Sequence, residues 1–304
     1  MTINYNQALK QIRKAKKTKI SEISIGKSRY SYSRIEKGDT KINLEDLTQI
    51  LDNLEISFNE YLMFANYGDP LPEYRRLLNR CVSSPDNSFY KSELLAKYYI
   101  PKNIKQKNKL ERLFLVGIVG NFSSRWEEVK PLTSDKIIYI FDKLINQSFY
   151  SEYDYLIAIN LIPMLSIDML DSLVNALYPI QYKEQRETDL IQKFYLMIMN
   201  IVSFAIYNLD YKKALYYINL IENDINVEEN YYLKISILYH KNVVLRFLKK
   251  DTFYIEKARQ VIKLVYDLGD NSLAQAYEKE LNELIEDPSY YLNNFKYPTV
   301  APRN

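Results

Sequence analysis

The stretch Lys27-Ser-Arg-Tyr-Ser-Tyr-Ser-Arg-Ile-Glu-Lys-Gly38 decides how this chain is read. Ser28 is suited to cap a helix and Gly38 to end it in the left-handed conformation. At helical spacing Arg29, Tyr30, Ser33 and Arg34 share a polar face, while Tyr32 and Ile35 fall toward the other. Upstream, Ala8, Leu9, Ile12 and Ala15 mark a helix over 5–16. Ile20 and Ile23 mark a short second helix, and Gly26 supplies the turn before Ser28. This order is helix-turn-helix, in which the helix after the turn enters the DNA major groove.

Charge is distributed to match. Residues 1–41 hold eleven Lys and Arg against three acids, a net +8; with the whole chain at +3, the remainder carries −5. A basic arm on a mildly acidic body fits a nucleic-acid partner. The basic unit continues through a helix capped by Asn43 and one opened by the Ser57 and Glu60 capping-box pattern. Gly68, Pro70 and Pro72 then break the periodicity. The expected domains are therefore a helix-turn-helix unit over 1–66, a linker over 67–72 and a second domain over 73–304.

Only 6 Gly and 10 Pro in 304 residues favour helices over hairpins, and no segment alternates with period two, so the expected fold is all-α. One Cys gives no internal disulfide framework, and the polar, basic start has no apolar signal core; a cytoplasmic protein is expected. The apolar stretch 194–207 is too short for a membrane span and reads as a buried helix. One His and one Cys allow neither a His-based metal cluster nor a Cys–His dyad, and no phosphate-binding glycine loop appears. Neither an enzyme nor a cofactor is expected.

Beyond residue 73 apolar stripes repeat as helix after helix up to 286, and the tail from Pro288 reads as irregular. Asn121, Asn160, Asn200 and Asn242 recur at intervals of 39, 40 and 42, one helix pair per interval. That is the pattern of an α-solenoid of the tetratricopeptide-like (TPR-like) kind, though its period exceeds 34 residues.

These residues resemble the Rgg/GadR/MutR family of peptide-responsive, quorum-sensing transcription regulators. The resemblance rests on Ile12-Arg13-Lys14, on Ser33-Arg34-Ile35-Glu36-Lys37-Gly38, on 42–54 and Ser57-Phe-Asn-Glu-Tyr61, and on the repeat array that follows. It implies an N-terminal repressor-type (XRE) DNA-binding domain, a repeat domain that binds a short signalling peptide, and a homodimer. Some members carry a subunit-linking cysteine at the position of Leu44, where this chain cannot make that bond.

Within the first domain, Arg29, Tyr30, Ser31 and Ser33 are candidates for base edges, since Arg reads guanine through its two-pronged geometry. Arg34 suits a base or a phosphate. Arg13, Lys27, Ser28, Lys37 and Lys41 suit phosphates, which set register. Glu36 reads as a structural partner for Arg13. A two-fold dimer would read a pseudo-palindrome in double-stranded DNA with half-sites about 34–36 Å apart.

In the second domain the four Asn side chains would hold a peptide backbone, each being both donor and acceptor. Four residues further along each helix stand Arg125, Met164, Phe204 and Arg246. The implied groove is apolar with an Arg at either end, suited to a short hydrophobic peptide whose carboxylate or acidic residue one Arg meets. Asn pairing between helices is the competing structural reading of the ladder. A TPR-like protein-interaction adaptor, or a regulator of a different ligand, are the alternative functions.

Overall fold

In a computed structural model the described residues are 5–23, 26, 28–65, 70–100, 102–224 and 230–294. Every regular element among them is helical. The chain divides into two compact units, Met1–Arg76 and Leu77–Asn304.

In the first unit, α1 (Tyr5–Ala15), α2 (Ile20–Ile23), α3 (Arg29–Lys37), α4 (Leu44–Asn53) and α5 (Phe58–Phe64) enclose one core. Leu9, Ile23, Tyr32, Ile35, Ile50, Leu51, Leu54 and Tyr61 fill it. The helical spacing of these apolar positions generates the faces that meet there. Tyr61 Oη donates to the Tyr5 carbonyl at 3.0 Å, tying the last helix to the first. Ser57 and Glu60 form the expected capping box.

Pro70, Leu71 and Pro72, expected in a linker, instead open α6 (Pro70–Ser83), and the division between units falls within that helix. Proline fits a first helical turn because its missing N–H has no partner there anyway. The rest of the expected linker, 67–69, lies outside the described residues.

The second unit runs through α7 (Ser88–Tyr98), α8 (Lys109–Phe122), α9 (Ser134–Ile145), α10 (Glu152–Leu161), α11 (Ile167–Leu177), α12 (Thr188–Tyr207), α13 (Tyr211–Glu222), α14 (Tyr231–Lys249), α15 (Phe253–Asp267), α16 (Asn271–Glu286) and α17 (Tyr290–Asn294). α8 packs on α10, α10 on α12 and α12 on α14, so the first helices of successive pairs line up side by side. α12 is long and apolar enough by length and composition to cross a membrane. It instead packs against α10, α13 and α14 with Phe194, Met197, Ile198, Ile201 and Val202 fully buried, which makes it the central core helix. Gly120 allows α8 to lie close to α10, for a Cβ there would stand 3.1 Å from the Asn160 carbonyl oxygen.

α17 departs from the expected irregular tail. Five residues carry little helical periodicity of their own; Tyr291 fixes the segment by stacking on Tyr207 of α12, centroids 4.1 Å apart at 16°.

Candidate functional site

The recognition helix is built as its sequence implies. Ser28 Oγ accepts from the Ser31 N–H at 3.1 Å, an interaction worth about 1 kcal/mol to a helix start. Gly38 closes α3 at φ 87°, and its N–H and that of Asp39 return to the carbonyls of Ile35 and Arg34. Tyr32, Ile35 and Glu36 are buried, whereas Arg29, Tyr30, Ser31, Arg34, Lys37 and Lys41 are exposed and Ser33 is half-buried. Tyr30 is 73% exposed. Such exposure of a large ring on a basic helix suits a partner with flat, stackable or methylated edges. No hydrogen bond or ion pair to another described residue engages the guanidinium of Arg29 or Arg34. Lys27 lies outside the described residues. Beside α3, Lys10, Lys14 and Lys37 line a shallow depression against α1 and extend the basic surface.

Arg13 is the exception among the expected DNA contacts. Its Nε and Nη2 donate to the Glu36 carboxylate at 2.6 and 2.8 Å, and Nη1 donates to the Thr18 carbonyl at 3.2 Å. The pair is largely desolvated, with side-chain exposures of 13% and 4%. The Glu36 hydrogen bond holds the Arg13 pKa above its ordinary value. With three of its five N–H donors and its charge committed to Glu36 and Thr18, Arg13 holds α1, the following turn and α3 together, an arrangement that favours a structural role over a phosphate contact. The reading of Glu36 as its partner agrees with this geometry.

In the second unit Asn121, Asn160, Asn200 and Asn242 sit on the adjacent helices α8, α10, α12 and α14. Asn121, Asn160 and Asn242 each donate Nδ2 to the carbonyl four residues earlier, at 2.8, 2.7 and 2.7 Å. This local bond is the usual refuge of a mid-helix Asn and occupies part of its capacity. The expected partners four residues on do not form a common wall. α8 ends at Phe122, where Trp126 turns back and stacks on that ring at 3.8 Å, so exposed Arg125 lies beyond the helix. Pro163 stops α10 at Leu161, and Met164 falls in a 3-10 turn, 3% exposed and packed toward Gly120. Phe204 and Arg246 are half-buried, and Arg246 Nε has no hydrogen-bond partner.

Of these eight residues only Asn200 lines a cleft of about 830 Å³ between α12, α14, α16 and α17. Leu196, Met199, Leu233 and Tyr232 give it apolar surface. Its polar groups come from positions that the Asn period did not mark. His240 Nδ1 lies 2.8 Å from the Ser236 carbonyl, which only accepts, so Nδ1 carries the hydrogen; Nε2 faces Ser203 Oγ at 3.2 Å. Tyr207 donates to Glu280, and Tyr291 donates to Glu283 Oε2 at 2.5 Å. Burial, followed by the adjacent carboxylates, pushes both tyrosine pKa values far above their ordinary value, so the hydroxyls stay protonated donors. The i, i+3, i+4 spacing of Leu196, Asn200, Ser203 and Tyr207 marks one face of α12. The glutamates carry no comparable mark, because their face is completed by α17.

Comparison with known proteins places both units. Residues 93–279 match the family model for the C-terminal domain of HTH-type transcriptional regulator Rgg, and residues 9–61 match a helix-turn-helix model. No curated protein sequence gives a significant match. Among solved structures, PrgX in complex with cCF10 superposes with a TM-score of 0.74 at 20% identity, covering 94% of this chain and 93% of that one. A bacterial peptide pheromone/receptor complex gives 0.72 at 20% identity, with 93% and 99% covered. The Streptococcus dysgalactiae SHP pheromone receptor Rgg2 gives 0.71 at 18% identity, with 92% and 99% covered. At these identities the superpositions establish the fold.

Proposed function

Because the chain belongs to the HTH-type transcriptional regulator Rgg family, we propose that it is a cytoplasmic, dimeric regulator whose operator binding is set by a short, largely apolar peptide held in its repeat unit. It is a helix-turn-helix DNA-binding protein, and the observation that carries DNA reading is α3. Arg29, Tyr30 and Arg34 stand exposed on a capped helix whose opposite face is locked into the core. Arg29, Tyr30, Ser31 and Ser33 face base edges in this reading; Arg34 takes a base or phosphate, and Ser28, Lys37 and Lys41 hold phosphates. Two copies read a pseudo-palindrome. A peptide ligand is supported by the cleft beside Asn200 and by the solved receptors named above, which were captured with or named for pheromones. No step of this function calls for catalysis.

A peptide changes DNA binding only by favouring one of two arrangements of the dimer. The test uses full-length protein on duplex DNA from upstream of its own gene, with and without the synthetic peptide encoded by a short reading frame beside that gene. The reading requires the operator affinity, or the small-angle scattering profile of the dimer, to shift at saturating peptide. If both stay unchanged, the coupling is refuted.

A further inference from the structure

Two carboxylates, Glu280 and Glu283, and one largely exposed cation, Lys279, line the cleft, so its inner charge has the opposite sign from the arginines expected at its ends. Glu280 is buried, 8% exposed, and lines the cleft. Tyr207 donates to it, but among the described residues no Lys, Arg or His forms an ion pair with it. Glu283 stands one helical turn away on α16, also on the cleft wall. Its nearest cation is Lys279, with Nζ 3.8 Å away and a side chain 76% exposed, a position where water screens the attraction. Arg125 and Arg246 do not line the cavity.

We propose that this cleft, taking a peptide as argued above, binds the ligand's positive end: a free α-ammonium or a Lys or Arg side chain is held between Glu280 and Glu283, and apolar residues lie along Leu196, Met199 and Leu233. The proposal deepens the peptide reading and rests on it. A carboxylate removed from water without a counter-charge is a strained arrangement that an incoming cation relieves, and the attraction is stronger in the low-dielectric interior than at the surface. The tyrosine hydroxyls each use one lone pair of their carboxylate and leave other oxygen positions to accept from an ammonium, which has three donors. The tyrosine hydroxyls stay protonated, so they serve as neutral donors to the carboxylates and bring no positive charge of their own. Asn200 on the facing helix offers both a donor and an acceptor to peptide backbone. A cavity of about 830 Å³ falls within the range of roughly 300–1,000 Å³ typical of small-ligand sites, so it holds one end of a peptide and not an extended length. The same carboxylates repel a peptide that begins with Asp or Glu, which provides discrimination by exclusion.

The experiment uses full-length protein and octapeptide mixtures randomised over Leu, Ile, Val and Phe. They are prepared with a free amino terminus, with an acetylated terminus, acetylated with Lys first, and acetylated with Glu first. Capture is quantified by mass spectrometry. The expected result is at least tenfold greater capture of the free-amino or Lys-bearing form than of the neutral and Glu-bearing forms, and which cationic form prevails identifies the source of the charge. Glu280→Gln and Glu283→Gln, folded by thermal melting, should abolish that preference while still capturing neutral peptides; glutamine keeps an oxygen to accept from the tyrosine. Equal capture of all forms by the wild type, or a preference that survives both substitutions, overturns the charge proposal and leaves peptide binding intact. Capture of none of the four mixtures overturns the peptide reading together with it.

Discussion

Replacing Arg13 by Met while leaving Glu36 in place should cost the first unit most of its stability. The Glu36 carboxylate is 4% exposed and receives two hydrogen bonds from one guanidinium. Removing the cation leaves a desolvated charge without a counter-ion, a loss of about 3–5 kcal/mol in comparable buried pairs. For a unit of this size each kcal/mol moves the melting temperature by about 4–8 °C, so its transition should fall by roughly 12 °C or more. Such a loss approaches the whole stability of a small domain, on the order of 5 kcal/mol. Glu36→Leu alone costs less, because Arg13 at 13% exposure can reach water. The double variant Arg13→Met/Glu36→Leu, two apolar side chains of similar bulk, should return to within about 1 kcal/mol of wild type. Differential scanning calorimetry and hydrogen exchange over the first unit measure the cycle. The same double variant should keep its DNA affinity and salt slope if Arg13 spends its charge on Glu36 and not on a phosphate. A single Arg13→Met protein that melts like wild type but binds DNA with a shallower salt slope would refute this account and restore Arg13 to the DNA surface.

Further outcomes follow from particular contacts. Asn200→Ala should weaken binding of the captured peptides about five- to tenfold, the size of one net hydrogen bond, while Asn121→Ala leaves it unchanged, as isothermal titration would show. Gly120→Val should destabilise the second unit by about 1–3 kcal/mol in denaturant titration, because the added carbons meet the Asn160 carbonyl across the α8–α10 contact. Asp171→Ala should cost about 1–3 kcal/mol by leaving the fully buried Tyr217 hydroxyl without its acceptor and Lys213 without its 2.6 Å partner. Burial, the first cause, raises the Tyr277 pKa to about 12 from an unfolded value near 10. The stabilisation is complete below pH 10 and is lost as pH rises toward 12; Tyr277→Phe should flatten that part of the stability curve measured between pH 9 and 12.

The helices were legible because their signals are local. Cap residues such as Ser28 and Ser57, the apolar stripes and the breaker at Gly269 place each element within a few residues of its observed bounds. What escaped depends on tertiary partners. Met164 falls out of register because Pro163 ends α10 early, a signal that was present in the chain but outweighed by the Asn period. α17 exists through the stacking of Tyr291 on Tyr207, which are 84 positions apart and share no local pattern. The carboxylates of the cleft belong to the same class: nothing adjacent to Glu280 in sequence announces that a tyrosine on α12 will meet it. Arg13 shows a mixed case: its pairing with Glu36 was legible in the sequence, but the two-pronged, desolvated geometry that sets it apart from the other basic residues is visible only across the fold.

DNA reading by α3 is the central claim, and it is tested most directly by fluorescence anisotropy with duplex DNA from upstream of the gene against a scrambled duplex, over a salt series, for wild type and Arg34→Ala. The account predicts tight, salt-steep binding to the upstream duplex that drops by about ten- to a hundredfold in Arg34→Ala, the worth of roughly 1–3 kcal/mol for a lost base or phosphate contact. Binding that is weak, equal on both duplexes and indifferent to Arg34 would contradict it.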